Sequence, residues 1–204
     1  MAASPDRTAV IFVECQRGVV GDLSVLPALA SAARPALAAM GRLAAGARQY
    51  GVTVAHLTYL PLAGGRSASR RAPLVRATSS SRDWHPAHPA FEIVTEVGVG
   101  PDDLLLPRHQ GISPVYRTEV LTILRNMGID EVVVAGVSTN LAIPLTAVGA
   151  ADEDFGVTVV TDASVGTPVE HHASMLKHSL AFVARLATVD ELLAEWSASA
   201  HDQV

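Results

Sequence analysis

The chain has 204 residues, of which 49% are hydrophobic and 17% are charged. This balance supports one large domain with a sizeable core and argues against an intrinsically disordered chain. The formal net charge of -5 and the lack of a Lys/Arg run argue against a nucleic-acid-binding protein.

The sequence also bears on the cellular compartment. The single cysteine, Cys15, excludes an internal disulfide and a four-cysteine zinc site, and this usage is typical of a reducing compartment. The first residues lack the basic start and long apolar stretch of a signal peptide. No window of about 18 residues is apolar throughout, so no membrane span is expected. We therefore expect a cytoplasmic protein whose partner is a small molecule, not a nucleic acid or a membrane.

Short apolar runs alternate with longer helical patterns along the chain. Runs such as TAVIFVE and DEVVVAG are typical of strands that are buried on both faces. The predicted strands are 8–14, 52–60, 103–107, 130–136, 156–164 and 185–192. Strands that alternate with helices predict an α/β fold. We expect a single domain over residues 1–204, a three-layer α/β/α sandwich around a mostly parallel sheet.

Capping residues indicate where the helices begin and end. The predicted helices are 35–50, 117–127, 140–152 and one that opens at Thr167. Gly51 and Gly128 follow the first two, in the position where glycine commonly ends a helix. Thr167 and Glu170 have the spacing of a capping box, with Pro168 at the first helical position.

The segment 61–101 interrupts this alternation, because it is rich in Gly, Ser, Arg, Pro and His. At about 40 residues it is too long for an ordinary connection. It is a candidate lid, substrate loop or oligomer arm. Within it, Asp83, His85 and His88 have side chains that could together hold one divalent ion. The neighbouring prolines favour an irregular loop without metal, so no metal and no cofactor are predicted.

In sheets of this kind, ligands bind outside the carboxyl ends of the strands. The rule selects Glu14, Tyr59, Arg108, His109, the stretch 138–142 and Asp162. A carboxylate at the end of an apolar strand is suited to acid/base work, which makes Glu14 a catalytic candidate. Arg108 would pair with it or bind an anionic substrate group, and His109 could also transfer protons. The alternatives are a structural acid and a surface Arg-His pair.

The stretch 138–142 joins a predicted strand to a predicted helix. Its residues, all predicted to line the substrate site, are Ser138, Thr139, Asn140, Leu141 and Ala142. N-capping alone would explain the three polar side chains. The free N–H groups at the start of the helix can also hold an anion or an oxyanion.

Two further residues are expected to have structural roles. Cys15 follows Glu14 on an extended backbone and should therefore point to the opposite face, as a buried small hydrophobe. Asp162 is expected to cap or support a loop.

Three sequence pieces, in this order and spacing, resemble the isochorismatase-like hydrolases, also called the cysteine hydrolase family. AVIFVECQRGVV stands where the family shows an apolar strand ending in Asp-x-Gln. HQGISPVYRTEVLTILRNMGIDEVVVAGVSTN stands where the family shows Lys, Ser-Ala-Phe, Thr-x-Leu and a strand ending in Gly-Val-x-Thr. GVTVVTDAS resembles the family's strand followed by Asp-Ala. The resemblance implies a Rossmann-like parallel sheet between helices.

The resemblance also implies where catalytic groups would lie. Amidase members use an Asp, a Lys and a nucleophilic Cys, which correspond to Glu14, to His109 with Arg108 beside it, and to Ala142. A methyl group cannot form a thioester, so a cysteine mechanism is not expected. Isochorismatases in the family also lack the cysteine and resemble acid catalysts that protonate a vinyl ether before water completes the cleavage.

Three functions remain open at this point. The first is a hydrolase that acts on a small molecule without a covalent intermediate, with Glu14 as general acid or base. The second is an inactive family member that binds a small ligand or a protein partner through the same cleft. The third is a metal-dependent hydrolase that uses Asp83, His85 and His88. Since family members commonly assemble, a homo-oligomer (a dimer or tetramer) is expected.

Overall fold

The computed structural model describes residues 4–69, 71–78 and 87–201. The described strands are β1 Thr8–Val13, β2 Thr53–Tyr59, β3 Leu104–Arg108, β4 Glu131–Val137, β5 Gly156–Val165 and β6 Arg185–Ala187. The described α-helices are α1 Pro27–Ala33, α2 Leu37–Gln49, α3 Pro73–Ala77, α4 Val120–Asn126, α5 Ala142–Asp152, α6 Val169–His178 and α7 Val189–His201. None of the helices in this part of the chain combines the length and apolar character needed to cross a bilayer.

The strands form one six-stranded sheet in the order β3-β2-β1-β4-β5-β6, and every adjacent pair is parallel. This confirms the predicted α/β fold. The order runs outward from β1 in two directions, so it reverses between β1 and β4. Such a reversal opens a crevice at the carboxyl ends of the strands, because the connecting helices leave on opposite faces.

Helices cover both faces of the sheet. In β1, Val10 and Phe12 join the core beneath α1, α2 and α7, whereas Ala9, Ile11 and Val13 join the core beneath α4 and α5. All six residues of β1 are buried, which explains its continuous apolar sequence. The three-layer sandwich predicted from the sequence is therefore confirmed.

Two predicted helix ends are confirmed, whereas the predicted starts are too early. The helices predicted from residues 35 and 117 begin at Leu37 and Val120. Gly51 and Gly128 follow α2 and α4 with φ of 72° and 82°, as the left-handed end of a helix requires. The helix predicted from residue 140 begins at Ala142, with no side-chain cap. The predicted capping box at Thr167 does not form, because α6 begins at Val169 and Pro168 occupies the N-cap position.

The end of the long segment 61–101 packs beside the end of β1. Gln16 and Ile93 form an antiparallel bridge. The Val94 amide donates to the Cys15 carbonyl at 2.9 Å, and the Arg17 amide donates to the Glu92 carbonyl at 2.8 Å. The segment therefore returns directly to the strand end that carries Glu14.

A buried ionic cluster holds the last turn of this segment before β3. The side chain of Asp103 is 3% exposed and accepts hydrogen bonds from Arg48 Nη2 at 2.7 Å and His56 Nε2 at 2.8 Å. The Gly100 amide donates to the same carboxylate at 2.9 Å. Arg48 also donates to the carbonyls of Val97 and Gly98. One carboxylate thereby connects α2, β2 and the end of the segment.

We expect Asp103→Asn to remove an acid-dependent part of the stability. Burial opposes ionisation of Asp103, but hydrogen bonds from Arg48, Gly100 and His56 outweigh burial and hold its pKa at about 2. Since the unfolded value is about 3.9, this contribution is complete above roughly pH 4 and is lost as the pH falls toward 2. The variant should lose about 2 kcal/mol of unfolding free energy at pH 7. Its unfolding free energy, measured by urea titration, should also fall less steeply than that of the wild type as the pH is lowered.

The neighbouring Asp102 is exposed and offers the matched control, Asp102→Asn. If the Asp103 variant and this control showed the same loss of unfolding free energy on acidification, ionised Asp103 would not be the source of the acid-dependent stability.

Candidate active site

Four neighbouring strands end at one cleft. Arg108 ends β3, Tyr59 ends β2, Glu14 follows β1 and Ser138 follows β4. All four residues line a cavity of about 480 Å³, a volume within the usual range for small-molecule sites. The cleft lies where the strand order reverses, as expected for ligand sites in sheets of this kind.

A short ion pair crosses the floor of the cleft. Arg108 Nη2 lies 2.5 Å from Glu14 Oε1, with side-chain exposures of 9% and 16%. The same nitrogen donates to the Ile112 carbonyl at 3.1 Å. Glu14 has a φ of 53°, which is uncommon for a residue with a side chain. The left-handed turn ends the extended run of β1 and directs the carboxylate into the cleft.

The guanidinium of Arg108 retains unused hydrogen-bonding capacity. Its Cζ lies 4.7 Å from the centre of the Tyr59 ring, in a cation–π contact. Its Nε and Nη1 atoms are buried and have no hydrogen-bond partner among the described residues. Buried charged donors without acceptors are destabilising, and they are rare outside functional sites. Arg108 is therefore equipped to receive a further acceptor, such as an acid group of a ligand.

Tyr59 remains protonated beside this pair. Burial raises the pKa of its hydroxyl, and the charge of Glu14 raises it further against the opposing effect of Arg108. The phenol therefore offers a ligand a neutral hydrogen-bonding group near the ion pair.

Gln16 fixes the backbone of Tyr59 and was not selected from the sequence. Its Oε1 accepts from the Tyr59 amide at 2.8 Å, and its Nε2 donates to the Tyr59 carbonyl at 3.2 Å and the Phe91 carbonyl at 3.4 Å. The side chain is buried, with a residue exposure of 1%. It ties the ends of β1 and β2 to the returning long segment. The Asp-x-Gln pattern of the resembled family includes a glutamine at this position, so the sequence could have indicated Gln16.

The stretch 138–142 is held by long-range contacts and not by N-capping. The Asn140 side chain donates to the Thr167 carbonyl at 2.5 Å and accepts from the Thr167 amide at 2.9 Å. The Thr139 hydroxyl lies 3.0 Å from Nδ1 of His172 and is fully buried. The N-cap position of α5 is Leu141, without a side-chain cap. The N-capping expectation was therefore wrong, and His172 is a contact that the sequence did not reveal.

Most of this stretch faces the cleft, which is lined by Ser138, Asn140, Leu141 and Ala142 but not by Thr139. The amides of Leu141 and Ile143 both donate to the Ser138 carbonyl. The amides of Asn140 and Ala142 have no acceptor among the described residues. Two backbone donors therefore remain at the start of α5, where the helix dipole favours negative charge.

His109 does not join the other candidates. It is exposed and does not line the cleft, but it lines a second cavity of about 490 Å³ together with Arg108, Gln110 and Arg117. Its Nδ1 lies 2.7 Å from the Leu60 carbonyl. Successive residues at a strand end point to opposite faces, so placing Arg108 in the cleft directs His109 away from it. The expected proton-transfer role of His109 has no geometric basis.

Cys15 points away from the cleft, as expected. It is fully buried, and its Sγ lies 3.9 Å from Sδ of Met40. Burial raises the pKa of the thiol to about 12, with a smaller contribution from the charge of Glu14. A thiol in this environment stays protonated and has no access to a ligand in the cleft.

The remaining candidates have structural contacts or lie outside the described residues. Asp162 accepts from the Val189 amide at 2.9 Å and thereby supports the start of α7, which confirms its expected role. His88 Nδ1 accepts from the Ala90 amide at 3.1 Å. Asp83 and His85 lie outside the residues that the structure describes. Among those it describes, no group of three or more His, Cys, Asp or Glu residues is placed to hold a metal ion.

Comparison with known proteins identifies the family. The Isochorismatase domain model matches residues 8–191. The chain belongs to the isochorismatase family. Phenazine biosynthesis protein PhzD1 of Pseudomonas aeruginosa is 32% identical over 114 residues, which are 54% of this chain and 55% of that protein. The alignments cover 32% to 55% of the length of the curated relatives, so the chain spans about half of them or less.

Solved structures of the isochorismatase family share the fold. An isochorismatase family protein from Desulfovibrio vulgaris superposes with a TM-score of 0.79 at 23% identity, over 92% of this chain and 98% of that chain. A cysteine hydrolase from Pseudomonas syringae superposes with a TM-score of 0.77 at 20% identity, over 98% and 96% respectively. The likeness at these identities concerns the architecture, an isochorismatase-family hydrolase fold.

We expect Gln16→Ala to destabilise the protein by about 2–4 kcal/mol, because it leaves the buried amide and carbonyl of Tyr59 without their side-chain hydrogen-bond partner. Urea unfolding would measure the loss. Gln49→Ala removes an exposed glutamine and should change the stability by less than about 0.5 kcal/mol. Equal stability of the two variants would show that the Gln16 contacts do not support the cleft.

Proposed function

We propose that the chain is a hydrolase of the isochorismatase family that acts on a small molecule by acid/base catalysis, without a covalent cysteine intermediate. The observation that carries this proposal is the Glu14–Arg108 pair in the cleft. A carboxyl group and a cation that share one cavity provide a proton donor and a site for a substrate anion. No cofactor is required by this chemistry.

Glu14 is the proposed catalytic acid. Its carboxyl group protonates the substrate, water adds its oxygen to the cationic intermediate, and the bond to the leaving group then breaks. One proton of the added water returns to Glu14, and the other passes from the new hydroxyl to the leaving group as its bond breaks, so that one water is consumed in each cycle. Arg108 holds an acid group of the substrate, and the free amides of Asn140 and Ala142 offer hydrogen-bond donors to a substrate oxygen.

The position of Ala142 supports a mechanism without a nucleophile from the chain. Ala142 begins α5 and lines the cleft, and a methyl group has no lone pair for attack on a substrate carbon. The one cysteine, Cys15, packs against Met40 on the other side of β1. Water is therefore the nucleophile in the proposed reaction.

A second candidate function is ligand binding without turnover. The observation that favours it is the close engagement of Glu14, whose Oε1 already accepts from Arg108 at 2.5 Å. If a ligand does not displace this contact, the carboxylate stays paired and does not act as an acid. The chain would then be an inactive family member that binds a small molecule or a protein partner.

We also propose a homo-oligomer, either a dimer or a tetramer. Leu145 and Val148 are 39% and 42% exposed, and their spacing of three residues places them on one face of α5. An apolar stripe of this kind suits packing against a second helix. The segment 61–101 contributes α3 to the wall of its own cleft through Leu74 and Val75. This favours a role as a lid and not as an oligomer arm.

We expect Glu14→Gln to lower kcat/KM by about 10²–10⁴-fold, because the amide cannot transfer the proton. A mass-spectrometric screen of wild type and variant against amides, vinyl ethers and small cyclic carboxylates would find the substrate and measure the loss. Glu153→Gln changes an exposed glutamate at the far end of α5 and should leave turnover unchanged. Equal turnover by wild type and Glu14→Gln would rule out this acid, and a ligand that binds without product would favour the second function.

A further inference from the structure

We infer that the cleft selects a ligand with an acid group on an apolar body. The inference rests on the proposed function, because it names the substrate class of that same site. It is carried by the charges, the walls and the free polar groups of the cleft.

The described lining provides one cation for a ligand. Arg108, Glu14 and Tyr59 are the only titratable side chains among the lining residues that the structure describes. An acid group of a ligand can accept from one of the buried Nε and Nη1 donors of Arg108, which point to different edges of the guanidinium.

The walls around the ion pair are aliphatic. They are formed by Leu26 and Leu29 near the start of α1, Leu74 and Val75 on α3, and Ile112 and Leu141 on the loops. Ala142 extends this surface with a methyl group. Contact with these side chains removes apolar ligand surface from water, so affinity should rise with the size of an apolar body.

A matched series of three small probes tests this selectivity: hexanoate, acetate and hexanamide. Calorimetry with the full chain at pH 7 should show hexanoate binding at least about tenfold more tightly than each of the others. Arg108→Gln should abolish the advantage of hexanoate over hexanamide. Leu74→Asn should weaken hexanoate but not acetate. Leu62→Asn changes an exposed leucine outside the cleft and should have no effect.

The outcomes separate this inference from the proposed function. Equal or tighter binding of acetate or hexanamide, or no binding of hexanoate, would overturn the inference. Turnover of a substrate without an acid group that depends on Glu14 would also overturn it, while supporting the hydrolase. Tight hexanoate binding that depends on Arg108 and Leu74, together with no turnover of any substrate, would support the inference and remove the proposed hydrolysis.

Discussion

The arrangement of the cleft depends on one ion pair that spans three strands. Glu14 follows β1 and Arg108 ends β3, with β2 lying between them. Neighbouring strands are about 4.8 Å apart, so the two backbones are separated by about 10 Å at this edge. Two long side chains are needed to close that distance. Tyr59, at the end of β2, lies beneath the guanidinium and supports its path. The pair thereby fixes the three strand ends on one side of the cleft.

Bidentate side-chain contacts with the backbone hold the remaining parts in place. Gln16 binds the amide and carbonyl of Tyr59, and Asn140 binds the amide and carbonyl of Thr167. In each case a side-chain amide substitutes for a missing strand neighbour beyond the end of the sheet. These contacts bring loops from β1, β2, β4 and β5 to fixed positions without adding charge to the cleft. The ion pair consequently remains the main electrostatic feature of the site.

The sequence was sufficient for the fold and for part of the candidate site. Continuous apolar runs have a local cause, burial on both faces, so all six strands could be predicted, and the sheet rule selected Glu14, Tyr59 and Arg108. The contacts of Gln16 and Asn140 could not be predicted this way, because their partners lie 43 and 27 residues away. His109 was predicted to lie in the cleft but does not, for a different reason. Successive residues at a strand end point to opposite faces, so only one of Arg108 and His109 can enter the cleft.

The three departures from the amidase pattern are best understood as one connected change. Glu14 is one methylene longer than the Asp it replaces, and Arg108 reaches it from a neighbouring position to that of the family's Lys. With this bond formed, the carboxylate is committed to a cation and is not available to activate a thiol. A cysteine at position 142 would then lack its base. The methyl group of Ala142 instead joins the aliphatic wall, and orientation of a ligand passes to Arg108. The chemistry of the cleft therefore depends on whether a ligand that binds the free donors of Arg108 also releases Glu14 from Nη2.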